Sequence, residues 1–149
     1  LRTEFPSWGY MVAKGATTIW ERWNGDTGDV AMNSFNHYAL GAVAGFLFRR
    51  IAGIDAGAPG FKEIRVRPVL DPRLTRAGAD YGSAMGRIST DWRWTPGEAF
   101  NLAMTVPANA TATLELPAHL GSTIVVDGEP AAAGLVPLAS GRHEVVVTP

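Results

Sequence analysis

A chain of 149 residues is long enough to bury the core of one ordinary domain, or of a small domain with an appendage, and too short for a large enzyme. Apolar residues make up 46% and charged residues 18%, which excludes a disordered chain, and a formal net charge of −1 gives no field to draw nucleic acid or an anionic membrane surface. The absence of cysteine removes disulfides and thiolate metal sites, a pattern as compatible with the cytoplasm as with an unstapled secreted protein.

The chain opens Leu1-Arg2-Thr3-Glu4-Phe5-Pro6, with neither a signal-peptide core nor an initiator methionine, and no apolar stretch reaches membrane-spanning length. It is therefore expected to be cut from a longer protein. Pro6 to Gly15 predicts a short helix, with Pro6 near its first turn and Gly15 ending it. Next comes Gly15-Ala16-Thr17-Thr18-Ile19-Trp20-Glu21-Arg22-Trp23-Asn24-Gly25, which sets a carboxylate between two indoles. Indole faces stack on the C–H faces of a sugar, and a neighbouring carboxylate accepts hydroxyl hydrogen bonds or takes a proton from water. The same residues equally describe two core tryptophans and a glutamate paired with Arg22 or another base. In the following loop Asp26 and Asp29 read as a solvated turn, and no metal is expected there.

Phe35 to Ala52 predicts one helix, capped by Ser34 and stopped by Gly53. It is apolar nearly all round, with Ala39, Gly41, Ala42, Ala44 and Gly45 leaving room for close neighbours. Two helices alone would leave that surface wet, so the missing neighbours are expected from absent upstream residues or from self-association with a second copy. Composition shifts at Ala56-Gly57-Ala58-Pro59-Gly60, giving expected domains 1–55 and 56–149. Beyond it, alternation predicts strands at Ile64–Arg67, Arg87–Trp94, Phe100–Val106, Ala112–Leu116, Ser122–Val126 and His143–Thr148. Thr95-Pro96-Gly97-Glu98 joins a hairpin, Asp127-Gly128 marks a tight turn and Ser140-Gly141-Arg142 a weaker one. The predicted class is α+β: helices followed by an antiparallel β-sandwich.

Three blocks carry a further signal: Pro6-Ser7-Trp8-Gly9-Tyr10-Met11, Gly15 to Trp23, and Asn33-Ser34-Phe35-Asn36-His37-Tyr38-Ala39-Leu40-Gly41-Ala42-Val43. In this order they resemble the end of the catalytic domain of glycoside hydrolase family 78, the bacterial α-L-rhamnosidases. The likeness continues more generically through Phe61-Lys62-Glu63-Ile64 and Pro68 into that family's carboxy-terminal β-sandwich. The resemblance implies that residues 1–55 are the last helices of an (α/α)6 barrel whose enzyme hydrolyses α-L-rhamnosides with inversion and without a cofactor. Glu21 falls at the position of the family's proposed general base, and His37 matches a histidine that contacts bound rhamnose. Trp20 and Trp23 would line or support the sugar pocket. The family's general acid lies upstream of this sequence, so the chain alone is expected to be inactive. The loop from Asn24 to Asn33 is shorter than in many relatives, which bears on substrate preference.

A different class stands beside this one: a non-catalytic carbohydrate-binding or structural β-module with a helical extension, or a piece of another inverting (α/α)6 glycosidase. Trp92 and Trp94 share a strand face and would form a sugar platform if exposed; buried, they are core or docking surface. Lys62, Arg65, Arg67, Arg73 and Arg76 read as a solvated face, and His119 and His143 have no ligand-like company.

Overall fold

The computed structural model describes residues 2–149, apart from the side chain of Val30. Leu1, the first residue of the expected helical domain, lies outside the described residues. The chain forms two compact units, Leu1–Gly45 and Phe46–Pro149.

In the first unit the predicted helix is present as α1, Trp8–Ala13. Its start is fixed by Ser7, whose Oγ accepts the Tyr10 N–H at 2.9 Å and donates to the Arg2 carbonyl at 2.7 Å. This satisfies one of the amides that every helix N-terminus leaves free. Gly15 follows in the left-handed region at φ 82°.

The long helix expected from Phe35 is not continuous. Helical structure begins only at α2, Tyr38–Gly41, continues in α3, Val43–Phe46, and loosens into a π-helical segment over Leu47–Ala52. The cap is His37 rather than Ser34. The backbone of residues 34–37 is engaged elsewhere: Ser34 O accepts the Glu21 N–H at 2.8 Å, His37 N–H donates to Ile19 O at 2.9 Å, and the Thr18 hydroxyl donates to Phe35 O. Groups paired to the chain upstream are not free for a helical ladder.

The C-terminal stop is where the sequence puts it. Gly53 adopts φ 85°, and a Cβ there would lie 2.9 Å from Pro68, so both conformation and space demand glycine. The carbonyls around this helix end each find a donor: Arg50 O from Val69 N–H at 2.6 Å, Ile51 O from Trp92 Nε1 at 2.8 Å, Ala52 O from Thr90 Oγ1 at 2.8 Å and Gly53 O from Arg67 N–H at 3.1 Å.

The second unit is a β-sandwich. Its strands are β1 Ile54–Ala56, β2 Glu63–Val66, β3 Arg76–Ser83, β4 Gly86–Arg93, β5 Phe100–Val106, β6 Thr111–Glu115, β7 Thr123–Val126, β8 Glu129–Ala131, β9 Leu135–Leu138 and β10 Gly141–Thr148. One sheet has the order β1-β2-β6-β9 and the other β3-β4-β5-β10-β7-β8. All pairings are antiparallel except β2 with β6, which is parallel. The α+β class is as the sequence predicts, and so are the hairpin of β4 with β5 and the turn after β7. The strands β1, β3, β8 and β9 are additions. β3 alternates only through the small Ala77 and Ala79 and carries Gly78 and Gly82, and β8 and β9 are short and each holds a proline, so the period-2 signal is weak in them.

Alternation builds the core. Phe100, Leu102, Met104 and Val106 of β5 are buried while the residues between them are not. They join Ile64, Val66, Ile88, Trp92, Leu114, Val136, Leu138, Val145 and Val147, drawn from both sheets, in one cluster. This is the packing of two inner faces in a sandwich.

Candidate active site

The stretch with two indoles does not form a helix or a regular strand; it runs beside residues 34–37 and exchanges hydrogen bonds with them. Glu21 is tied twice to Ser34. Its N–H donates to Ser34 O at 2.8 Å, and its carboxylate Oε2 accepts the Ser34 N–H at 2.9 Å. The side chain is half-buried, and among the described residues it forms no salt bridge, so the pairing with Arg22 allowed by composition is not made. A carboxylate offers several lone pairs, so one amide leaves it acceptor capacity.

His37 stands on the paired segment and caps α2. Its Nδ1 accepts the Ala39 N–H at 3.1 Å, and its ring stacks on Tyr38 with centroids 5.7 Å apart. The neutral ring therefore carries its proton on Nε2, which is left as a donor.

Of the flanking indoles, Trp20 is buried, with Phe35 edge-on at 5.6 Å. Its other neighbour is Gly25, where a Cβ would sit 3.0 Å from Trp20 Cε3. Trp23 is half-buried and meets the edge of Trp8 at 4.9 Å, while Trp8 Nε1 donates to Leu40 O at 3.1 Å. Trp20 thus belongs to the packed interior of the unit and Trp23 to its rim.

Asp26 is more than a solvated turn residue. It accepts the Tyr10 hydroxyl at 2.9 Å and pairs with Lys14 at 3.5 Å, which ties the loop back to α1. The carboxylate beside the phenol, through that hydrogen bond first, pushes the Tyr10 hydroxyl above its usual range. Asp29 instead accepts the Ala31 N–H at 3.0 Å, so the two loop carboxylates serve different groups.

In the second unit the remaining candidates have structural employment. Trp92 and Trp94 are buried in the sandwich core, which removes the sugar platform on which a binding module would depend. Arg67 pairs with Glu115, Arg73 with Asp71 and Arg76 with Asp91. His119 lies against Trp94, and His143 bridges the Asp127 carboxylate at 2.7 Å and Ala139 O at 2.9 Å. A hollow of about 810 Å³ on the outer face of the larger sheet is floored by small residues such as Gly78 and Ala103, with rim charges paired as Arg76–Asp91 and Arg87–Asp80.

Residues 1–51 match the bacterial alpha-L-rhamnosidase 6 hairpin glycosidase domain, and residues 53–130 match the bacterial alpha-L-rhamnosidase C-terminal domain. The chain belongs to the bacterial α-L-rhamnosidase family. It is 43% identical over 119 residues to an alpha-L-rhamnosidase of Streptomyces avermitilis, a match covering 76% of this chain and 12% of that protein. A second alpha-L-rhamnosidase, from Formosa agariphila, is 38% identical over 130 residues, covering 84% of this chain and 14% of its own length. Among solved structures, that of the Streptomyces avermitilis alpha-L-rhamnosidase complexed with L-rhamnose superposes with a TM-score of 0.84 at 36% identity, covering 99% of this chain and 15% of that one. The native enzyme from Aspergillus terreus gives 0.79 at 36% identity, covering 98% and 16%. The chain therefore spans about a seventh of the length of these relatives, from 12% to 16%.

Proposed function

We propose that this chain is the carboxy-terminal part of an inverting α-L-rhamnosidase acting on terminal α-L-rhamnosides, and that it supplies the general base. Residues 1–55 would close the helical catalytic barrel and residues 56–149 form the carboxy-terminal β-sandwich domain. The observation that carries this reading is Glu21 itself. It lies in the stretch that matches a glycosidase domain, half-buried, unpaired with any cation among the described residues, and oriented by the Ser34 amide.

An inverting hydrolase needs an acid to protonate the departing oxygen and a base to activate water on the opposite face of the sugar. Glu21 is the base: with one oxygen held by Ser34 N–H, its remaining lone pairs accept the proton of the attacking water. His37 donates from Nε2 to a ring hydroxyl of rhamnose, because Nδ1 is committed to the α2 cap. Trp20 supports the pocket from within, and Trp23, on the rim, walls it. The general acid belongs to residues outside this chain, as do the helices that cover the exposed aromatic side chains of the first unit. The chemistry asks for two carboxyl groups and water, and no cofactor.

The test is rhamnose release from an aryl α-L-rhamnoside by the full-length enzyme containing this sequence. Glu21→Gln keeps an acceptor for Ser34 N–H and removes the base; kcat should fall by about a hundredfold or more with folding intact. Full activity in that variant would remove Glu21 from the role. The 149-residue chain alone should release no rhamnose above background.

A further inference from the structure

Glu21 is positioned by a segment that is distant in sequence, and beside the bonds that join residues 18–21 to residues 34–37, two further contacts from this pair of segments meet at one glycine. Ser34 supplies both backbone partners of Glu21, so the carboxylate goes where Ser34 goes. The residue before Ser34 is Asn33, whose Nδ2 donates to Gly25 O at 3.4 Å. The residue before Glu21 is Trp20, whose ring lies on Gly25. Gly25 is buried, and a Cβ on it would meet Asn33 Nδ2 at 2.6 Å and Trp20 Cε3 at 3.0 Å. Its backbone is outside the left-handed region that favours glycine, so only space forbids a side chain there. Asn33 Oδ1 is buried with no hydrogen-bond partner among the described residues, so the tie to Gly25 is the polar contact that the amide makes there.

We infer that Gly25 and Asn33 form a latch that positions the Glu21 carboxylate for proton abstraction: Gly25 is a positioning residue, acting through Asn33–Ser34 on one side and Trp20 on the other. This rests on the reading of Glu21 as the base. A methyl at Gly25 must turn the Asn33 amide away and press the Trp20 ring aside by a few tenths of an ångström, which breaks the Asn33–Gly25 bond and loosens the residues that precede Ser34 and Glu21. Base catalysis depends on that geometry far more steeply than does binding of the sugar.

The experiment uses the full-length rhamnosidase containing this sequence, with an aryl α-L-rhamnoside as substrate. Gly25→Ala should lower kcat by about 10-fold to 100-fold while KM changes by less than about threefold. Asn33→Ala, which adds no atoms and so cannot fail by overpacking, should lower kcat in the same selective way. Because the two residues act through one latch, the double variant should lose less than the product of the single effects. Glu21→Gln is the control. If Glu21→Gln retains activity, the reading of the base falls and the latch with it. If Glu21→Gln is inactive while Asn33→Ala keeps full kcat, the latch alone is overturned. A fall in kcat matched by a rise in KM, with losses that multiply in the double variant, would show independent structural roles and also overturn it. Should Gly25→Ala not fold, the Asn33→Ala split between kcat and KM decides.

Discussion

At the scale of single residues, the site depends on backbone groups as much as on side chains. The Glu21 carboxylate takes its direction from the Ser34 amide, and His37 gives one ring nitrogen to a cap and keeps the other free. These two duties of His37 can be separated. Asparagine is a good N-cap, so in the full-length enzyme His37→Asn should preserve thermal stability while raising KM for the rhamnoside. His37→Ala should raise KM and also lose the cap, at about 0.5–2 kcal/mol. Thermal melts and Michaelis kinetics on both variants check this; equal KM for wild type and asparagine would take His37 out of the sugar pocket. Glu21 was marked as a candidate by the indoles beside it and by the family resemblance, and His37 by the resemblance alone. Ser34 was expected only as a helix cap, a place that His37 takes, and its bond to Glu21 joins residues 13 apart in a stretch with no regular period. No local pattern encodes such a pairing.

At the scale of elements, turns and the helix stop at Gly53 were read more accurately than the helix start and its cap. Asp127-Gly128 predicts a tight turn, and the structure has both residues at positive φ, 53° and 89°, between the paired Val126 and Glu129, the geometry of a type I′ hairpin. Asp127 does more than turn the chain. Its Oδ1 accepts the Glu144 N–H at 2.8 Å and its Oδ2 faces His143 at 2.7 Å, which ties the β7–β8 turn to β10. The Glu144 amide first, and His143 second, hold this carboxyl below its usual range. A pKa lowered on folding contributes stability that is present above the unfolded value, about 3.9, and is lost as pH falls through the lower folded value. Asp127→Asn tolerates the same backbone and keeps an acceptor for Glu144 while losing the charge. Urea melts should therefore show wild type more stable than this variant near neutrality, with the gap closing below about pH 4. A gap independent of pH would mean that the charge contributes nothing. The helix expected over Phe35–Ala52 failed at its start for a reason of the same kind as Ser34: residues 34–37 bond to residues 18–21, and a tertiary partner overrode local propensity.

At the scale of the molecule, the two units differ in how much core they own. Phe46–Pro149 buries a continuous cluster from both sheets, Trp92, Phe100, Leu102 and Leu114 among its members. Among the described side chains of residues 2–45, Met11 and Trp20 are the only large apolar ones buried, while Tyr38, Val12, Met32 and Phe5 are exposed. A polypeptide of residues 46–149 should therefore fold by itself, with a cooperative melt and dispersed amide resonances, while residues 1–45 alone should not. A non-cooperative melt of 46–149 would show that the sandwich draws essential stability from outside itself. Within the sandwich, Trp92→Ala should cost about 3–5 kcal/mol, because it empties a fully buried site and orphans the Ile51 carbonyl.

What the sequence determined by itself follows from periodicity and from residues with few conformational options. The alternation in β4, β5 and β10 requires two-faced strands, and Gly53 and Asp127-Gly128 admit left-handed backbone. Tertiary structure alone decided the rest: the parallel register of β2 on β6, the burial of Trp92 and Trp94, and the hold of Ser34 on Glu21. Each of these joins segments far apart along the chain. Their energy comes from satisfying polar groups and filling space across that distance, and neither requirement leaves a periodic trace in the residues that meet it.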